Sequence, residues 1–203
     1  MHDNIIPTSD KERWVIGMEP MFPGTVLERR GRTAEEFLSG LFFATRGIML
    51  QQVREITGLE TPVIQNWINR GWVGRPVEKR YSVNHLTRIM LINMLREVTS
   101  LENIANILEY INGTANCTDD DIIPEAKLYI YTCDLLDTID YETVFDEAAL
   151  DRKIAETIVD YVEPFPGARE KLMRGMKIIL IYYASVLVKV RADRLVRRYE
   201  IGK

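Results

Sequence analysis

The sequence predicts a mainly α protein, built as a unit of short, closely punctuated helices followed by a unit of longer ones. Three observations carry that reading. Apolar residues recur at helical spacings through most of the 203 residues. Strand patterning is nearly absent, since no alternating segment exceeds four residues. The texture also changes after Gly113, where a polar stretch separates two differently patterned halves.

Residues 1–32 hold Pro7, Pro20, Pro23, Gly24 and Gly31 without a sustained period, so they read as an irregular arm. Thr33-Ala34-Glu35-Glu36 has capping-box spacing and opens a helix carrying Phe37, Leu38, Leu41, Phe42 and Ala44, which ends near Gly47. Leu50, Val53 and Ile56 form a short helix that Gly58 stops. A second runs from Thr61 to Arg70, with Pro62 tolerated in its first turn and Ile64, Trp67 and Ile68 on one face. Gly71 to Lys79 is too broken for helix. Ser82 then caps Val83–Arg96, and Thr99 or Ser100 caps Leu101–Ile111, which Asn112-Gly113 stops. Beyond the polar linker 114–121, three helices are expected over Pro124–Leu136, Tyr141–Val162 and Ala168–Tyr199. The expected organisation is an arm (1–32), a DNA-binding-type unit (33–113) and an all-α helical C-terminal unit for self-association or sensing (114–203).

Composition bounds the function only loosely. The apolar fraction of 46% excludes wholesale disorder, and a net charge of −4 excludes a general polycation. Two cysteines, Cys117 and Cys133, are too few for a disulfide framework, which suggests a reducing compartment such as the cytoplasm. Met1-His2-Asp3-Asn4 does not lead into an apolar run, so no export signal is expected. The longest apolar run, Ile178 to Val188, has 11 residues, whereas a membrane helix needs roughly 20. No membrane partner is expected.

The charges are unevenly placed. Arg46–Arg96 holds eight basic and three acidic residues, a net of +5. Cys117–Glu163 holds fourteen acidic and three basic, a net of −11, and Arg169–Arg198 nine basic and two acidic, a net of +7. A basic segment beside a strongly acidic one fits a binding module joined to something else.

The most informative segment is Ile48–Ile111. Two short helices around a tight turn at Gly58-Leu59 have the order of a helix-turn-helix, in which the second helix offers its polar face to the major groove. Once Ile64, Trp67 and Ile68 are turned inward, that face carries Gln65, Asn66, Asn69 and Arg70. Amides donate and accept on an adenine edge, and arginine forks onto guanine or phosphate. The loop Gly71–Tyr81 follows directly and holds Arg75, Lys79 and Arg80, placed as a wing would be to touch phosphates. Trp72 is expected in the core.

The run Leu50-x-x-Val53-x-x-Ile56-Thr57-Gly58-Leu59, Val63-Ile64-x-x-Trp67, Arg70-Gly71-Trp72-Val73, Lys79-Arg80-Tyr81-Ser82, Leu86-x-x-Ile89 and Leu101-Glu102-x-Ile104 resembles the winged helix-turn-helix of the MerR family of bacterial transcriptional regulators. The chain also resembles uncharacterised bacterial proteins with this module near the N-terminus and a helical C-terminal part. The resemblance implies double-stranded DNA as partner, with Thr61, Val63, Gln65 and Asn66 facing it from the recognition helix. Lys79, Arg80 and Tyr81 would serve from the wing. It departs where the family's recognition helix usually carries Arg and Tyr and this chain has Gln65 and Asn66, and where the linker interrupts the long helix that dimerises the family. The competing expectation is a protein–protein interaction module on the same scaffold.

Nothing in the chain calls for a metal or cofactor. Cys117, Cys133, His2 and His85 are widely spaced, and His85 is expected as a solvated surface residue. Asp119-Asp120-Asp121 lacks the pattern of a cation loop, and no catalytic motif is present, so no enzyme is expected. Any small-molecule effector is left undefined by the sequence. The last helix is apolar nearly all round from Ile178 to Val188, which implies burial in a bundle or an interface. Leu172, Met176, Ile179, Tyr183, Val186 and Val190 alternate spacings of 4 and 3, suited to a helix–helix seam and to a homodimer through the C-terminal helices. Arg191, Arg194 and Arg198 are expected to pair with the acidic helix at 141–162.

Overall fold

A computed structural model describes residues 21–115 and 121–201. The helices are α1 (Ala34–Phe42), α2 (Leu50–Thr57), α3 (Thr61–Asn69), α4 (Val83–Leu95), α5 (Leu101–Asn112), α6 (Glu125–Leu136), α7 (Tyr141–Phe145), α8 (Glu147–Thr157) and α9 (Ala168–Arg198). Two short strands, β1 (Ile48–Met49) and β2 (Arg80–Tyr81), pair antiparallel. The chain is mainly helical. No helix among the described residues is long and apolar enough to cross a membrane.

Helix starts follow their caps. Thr33 Oγ1 accepts from Glu36 N while Glu36 Oε2 accepts from Thr33 N, the reciprocal capping box. Ser82 and Ser100 cap α4 and α5 through the N–H groups of His85 and Asn103. The helix expected over Tyr141–Val162 is broken. Asp146, at φ −103° and ψ 101°, ends α7 and caps α8 by accepting from Ala149 N. At the other end α8 stops at Thr157, and Tyr161 turns inward to donate its hydroxyl to the Ile122 carbonyl at 2.9 Å.

The centre of the core is α4, in which every residue from Leu86 to Ile92 is buried. α2, α5, α6 and α9 pack around it. α5 and α9 meet closely at Gly175, where a Cβ would lie 2.5 Å from Ile111 Cδ1. One hydrophobic cluster runs from Phe22 to Leu187, so the elements on either side of the boundary expected at residue 113 share a core.

The described part of the arm is tied to that core. Phe22 is fully buried and stacks on Phe37 with ring centroids 4.4 Å apart. The Pro23 carbonyl accepts from the Tyr129 hydroxyl at 2.8 Å, and Arg29 Nη1 grips both carboxylate oxygens of Asp137. The rest of the arm, residues 1–20, lies outside the described residues.

α9 departs from the expectation of all-round burial. Leu172, Met176, Ile179, Tyr183 and Val186 pack inside the chain, whereas Ile178, Ile181 and Val188 on the other side are exposed. Its 31 residues extend about 46 Å, and the helices around it cover one side only. Arg191, Arg194 and Arg198 are the partners that the sequence predicts for acidic α8. Its Glu147 and Asp151 pair instead with Lys177, at 3.2 and 2.6 Å.

Candidate nucleic-acid interface

α2 and α3 are joined by the three-residue turn Gly58-Leu59-Glu60. Gly58 sits at φ 70°, the left-handed conformation that ends a helix, and its N–H returns to the Arg54 carbonyl. Leu59 plugs the turn into the core, and the Thr57 hydroxyl donates to the Val53 carbonyl while accepting from Leu59 N. Asn93 of α4 locks the arrangement, because its side-chain amide donates to the Thr57 carbonyl at 3.1 Å and to the Gly24 carbonyl at 2.9 Å.

The inward face of α3 is then fixed by Ile64 and Trp67, both essentially without exposure. Gln65, Asn66, Asn69 and Arg70 face solvent as a continuous polar row. Thr61 and Val63 are half-buried. Val63 lines a surface groove with Pro62, Asn66, Arg96, Glu97 and Leu101.

The loop after α3 is anchored at its base. Trp72 N and Val73 N both donate to the Trp67 carbonyl, and Val73 is buried. Trp72 lies at the edge of the core rather than within it, with the Arg70 guanidinium 5.0 Å above its ring. Beneath the loop, Arg88 is buried. Its Nε donates to the Trp72 carbonyl at 2.6 Å and its Nη1 to Glu125 Oε1 of α6 at 2.5 Å.

The loop returns as a hairpin that pairs β2 with β1 in the register Ile48↔Tyr81 and Met49↔Arg80. Its tip is a tight turn in which Arg80 N donates to the Val77 carbonyl. The two central residues, Glu78 and Lys79, have φ of 49° and 62°. This is the left-handed pair that a two-residue hairpin turn demands and that glycine or asparagine usually supplies. Lys79 is thus presented at an exposed apex, with Arg75 exposed on the approach to it.

Two expected wing residues have structural work. Arg80 is exposed, yet its Nη1 donates to the Gly47 carbonyl at 3.1 Å and braces the hairpin. Tyr81 is only 4% exposed, its ring edge-on to His85, so it belongs to the core and not to the surface; burial pushes its phenol up. His85 is not a solvated residue. It is half-buried, with Nδ1 accepting from Ser82 N and lying 2.8 Å from Ser82 Oγ. Burial lowers its pKa, against the opposing pull of a backbone hydrogen bond with Arg75 and of the Glu125 charge.

The structure therefore leaves Gln65, Asn66, Asn69 and Arg70 exposed on α3 and Arg75 and Lys79 exposed on the loop that follows it, and withdraws Tyr81 into the core. Sequence reasoning missed Arg88 and Asn93, the side chains that hold the loop and the turn. A polar residue on the apolar register of α4 is the pattern that marks both. Arg54, the single cation of α2, is engaged by Glu60 at 3.0 Å.

Among the described residues no group of three or more His, Cys, Asp or Glu is placed to hold a metal ion. Cys133 is a buried free thiol that burial, above all, pushes up to about 12. Cys117 lies outside the described residues.

Residues 44–132 match the model of a family described as "Domain of unknown function (DUF1836)". That span contains the two short helices, the hairpin, α4, α5 and most of α6. The chain is also similar to "Uncharacterized protein YkrK" of Bacillus subtilis (strain 168), 27% identical over 99 residues, which is 47% of this chain and 42% of that protein. It thus spans less than half the length of the curated relative it matches. No solved structure matches the chain.

Proposed function

We propose that the chain is a sequence-specific DNA-binding regulator with a MerR-like winged helix-turn-helix, α3 entering the major groove and the hairpin lying on phosphates. The supporting observation is the exposed row Gln65, Asn66, Asn69 and Arg70 on a helix whose other face is locked inward, followed at once by a hairpin with Lys79 at its apex. Amide side chains on such a row suit adenine edges, and Arg75 and Lys79 suit the sugar-phosphate backbone.

Titrating the protein with selected and random duplexes at two salt concentrations tests this. Phosphate contacts make affinity fall steeply with salt. Gln65→Ala/Asn66→Ala is expected to flatten the preference for the selected site by roughly 1–3 kcal/mol per lost base contact, with less effect on random DNA. Absence of binding even at low salt overturns the reading. It would favour a second one, docking of a protein partner, for which the groove of Pro62, Val63, Asn66 and Leu101 beside α3 is the supporting observation.

A further inference from the structure

A second heptad on α9 is left exposed after the chain has packed. Ile178, Ile181, Ser185, Val188, Ala192 and Leu195 follow at spacings of 3 and 4, the a/d repeat of a coiled coil, and run along the side away from the seam used within the chain. Ile178, Ile181 and Val188 are 41%, 43% and 54% exposed. At one end, Ile107, Tyr110 and Tyr182, with Asn103 and Asn106, line a groove beside Ile178.

We propose that this face is the seam of an antiparallel homodimer, α9 against α9 of a second copy, with Ser185 opposite Val188. The same register sets Ile178 against Leu195 and Ile181 against Ala192. By symmetry each layer occurs twice, giving six layers with no charge among them.

Charge selects a second copy as the occupant, and selects its direction. Arg197 and Arg198 stand exposed near the end of α9. The acidic α8 of the same chain lies beside Lys177, 21 residues earlier, about 31 Å back along the axis. The antiparallel register carries Arg198 to the second copy's Lys177. Two carboxylates already surround that one ammonium, Glu147 with its side chain 83% exposed and Asp151, so a negative surplus awaits the incoming guanidinium. A parallel arrangement would set Arg198 against Arg198 and leave the surplus unmatched.

The seam stands or falls independently of DNA binding. Light scattering of the full chain is expected to give twice 23.5 kDa at micromolar concentration. Ile181→Glu/Val188→Glu is expected to give the single mass with wild-type helix content by circular dichroism, because both side chains are exposed, and a melting midpoint that no longer rises with protein concentration. Phe43→Glu, at a position 93% exposed just past the end of α1, should leave the dimer intact. Direction is read by cross-linking in a Cys117→Ser background. Ile178→Cys/Leu195→Cys closes to a covalent dimer under mild oxidation, and neither single variant does, since like positions lie about 26 Å apart. Arg198→Glu should raise the dissociation constant about tenfold, and adding Glu147→Arg should restore it. A monomeric full chain, a dimer that survives the glutamates, or covalent dimers from the single cysteines would each overturn the proposal.

Discussion

Replacing Lys79 by Gly separates the shape of the hairpin tip from its charge. An L-residue held in the left-handed region costs roughly 1–2 kcal/mol, and Lys79 sits there at φ 62°. Glycine releases that strain, while its greater freedom in the unfolded chain takes back roughly 0.4–1 kcal/mol. The net expectation is a gain of about 0.5–1 kcal/mol. For a domain of this size, 1 kcal/mol moves the midpoint by roughly 2–4 °C, so Lys79→Gly should unfold about 1–4 °C higher by circular dichroism. Lys79→Ala keeps the strain and should show no gain. Both variants lose one phosphate contact, so both should weaken binding to all duplexes alike and lower the slope of log affinity against log salt by about 0.9. A Lys79→Gly protein that melts at or below wild type refutes the strain. An unchanged salt slope in both variants removes Lys79 from the interface.

Arg88→Met is expected to destabilise by roughly 3–5 kcal/mol in chemical denaturation, since it leaves Glu125 charged and buried, and adding Glu125→Leu should recover most of the loss. His85 has a folded pKa below its ordinary 6.5, so the unfolded chain takes up the proton first as pH falls. Stability should therefore hold above 6.5 and decline below it, and His85→Gln, which can keep the cap on Ser82, should flatten that decline. In a Cys117→Ser background, Cys133 should resist thiol reagents at pH 8 until the protein unfolds, because a buried thiol shifted to about 12 carries almost no thiolate there.

Local signals were readable from the residues alone. Thr33 and Ser82 cap where their spacing to the next donors said they would, Ser100 rather than Thr99 caps α5, and Gly58 ends α2 because only a left-handed residue turns the chain there. The polar row on α3 follows from the register of Ile64 and Trp67. What the residues concealed depends on distant packing. A two-residue strand has no period, so β1 and β2 become visible only when Ile48 meets Tyr81 across 33 positions. Nothing local marks Arg88 as buried, since the acid that it reaches lies 37 positions away. Tyr81 reads as a surface aromatic until the ring beside it, His85, is seen to be part of the core edge. The break at Asp146 was hidden because aspartate inside an acidic helix and aspartate at a cap look alike in sequence.

The Arg88–Glu125 strut sets a rule for dissecting this protein. Its cation lies before the polar linker and its carboxylate after it, while the carbonyl it steadies belongs to the hairpin. Cutting the chain at Gly113, the obvious place to excise a portable reading head, discards the counter-ion and strands a guanidinium in the apolar interior. Chimeras that transplant residues 33–113 inherit the same defect, whereas a cut after α6 carries both halves of the strut together. The strut thereby links the base of the hairpin loop to α6, so a displacement of that helix is passed to the Trp72 carbonyl through one side chain.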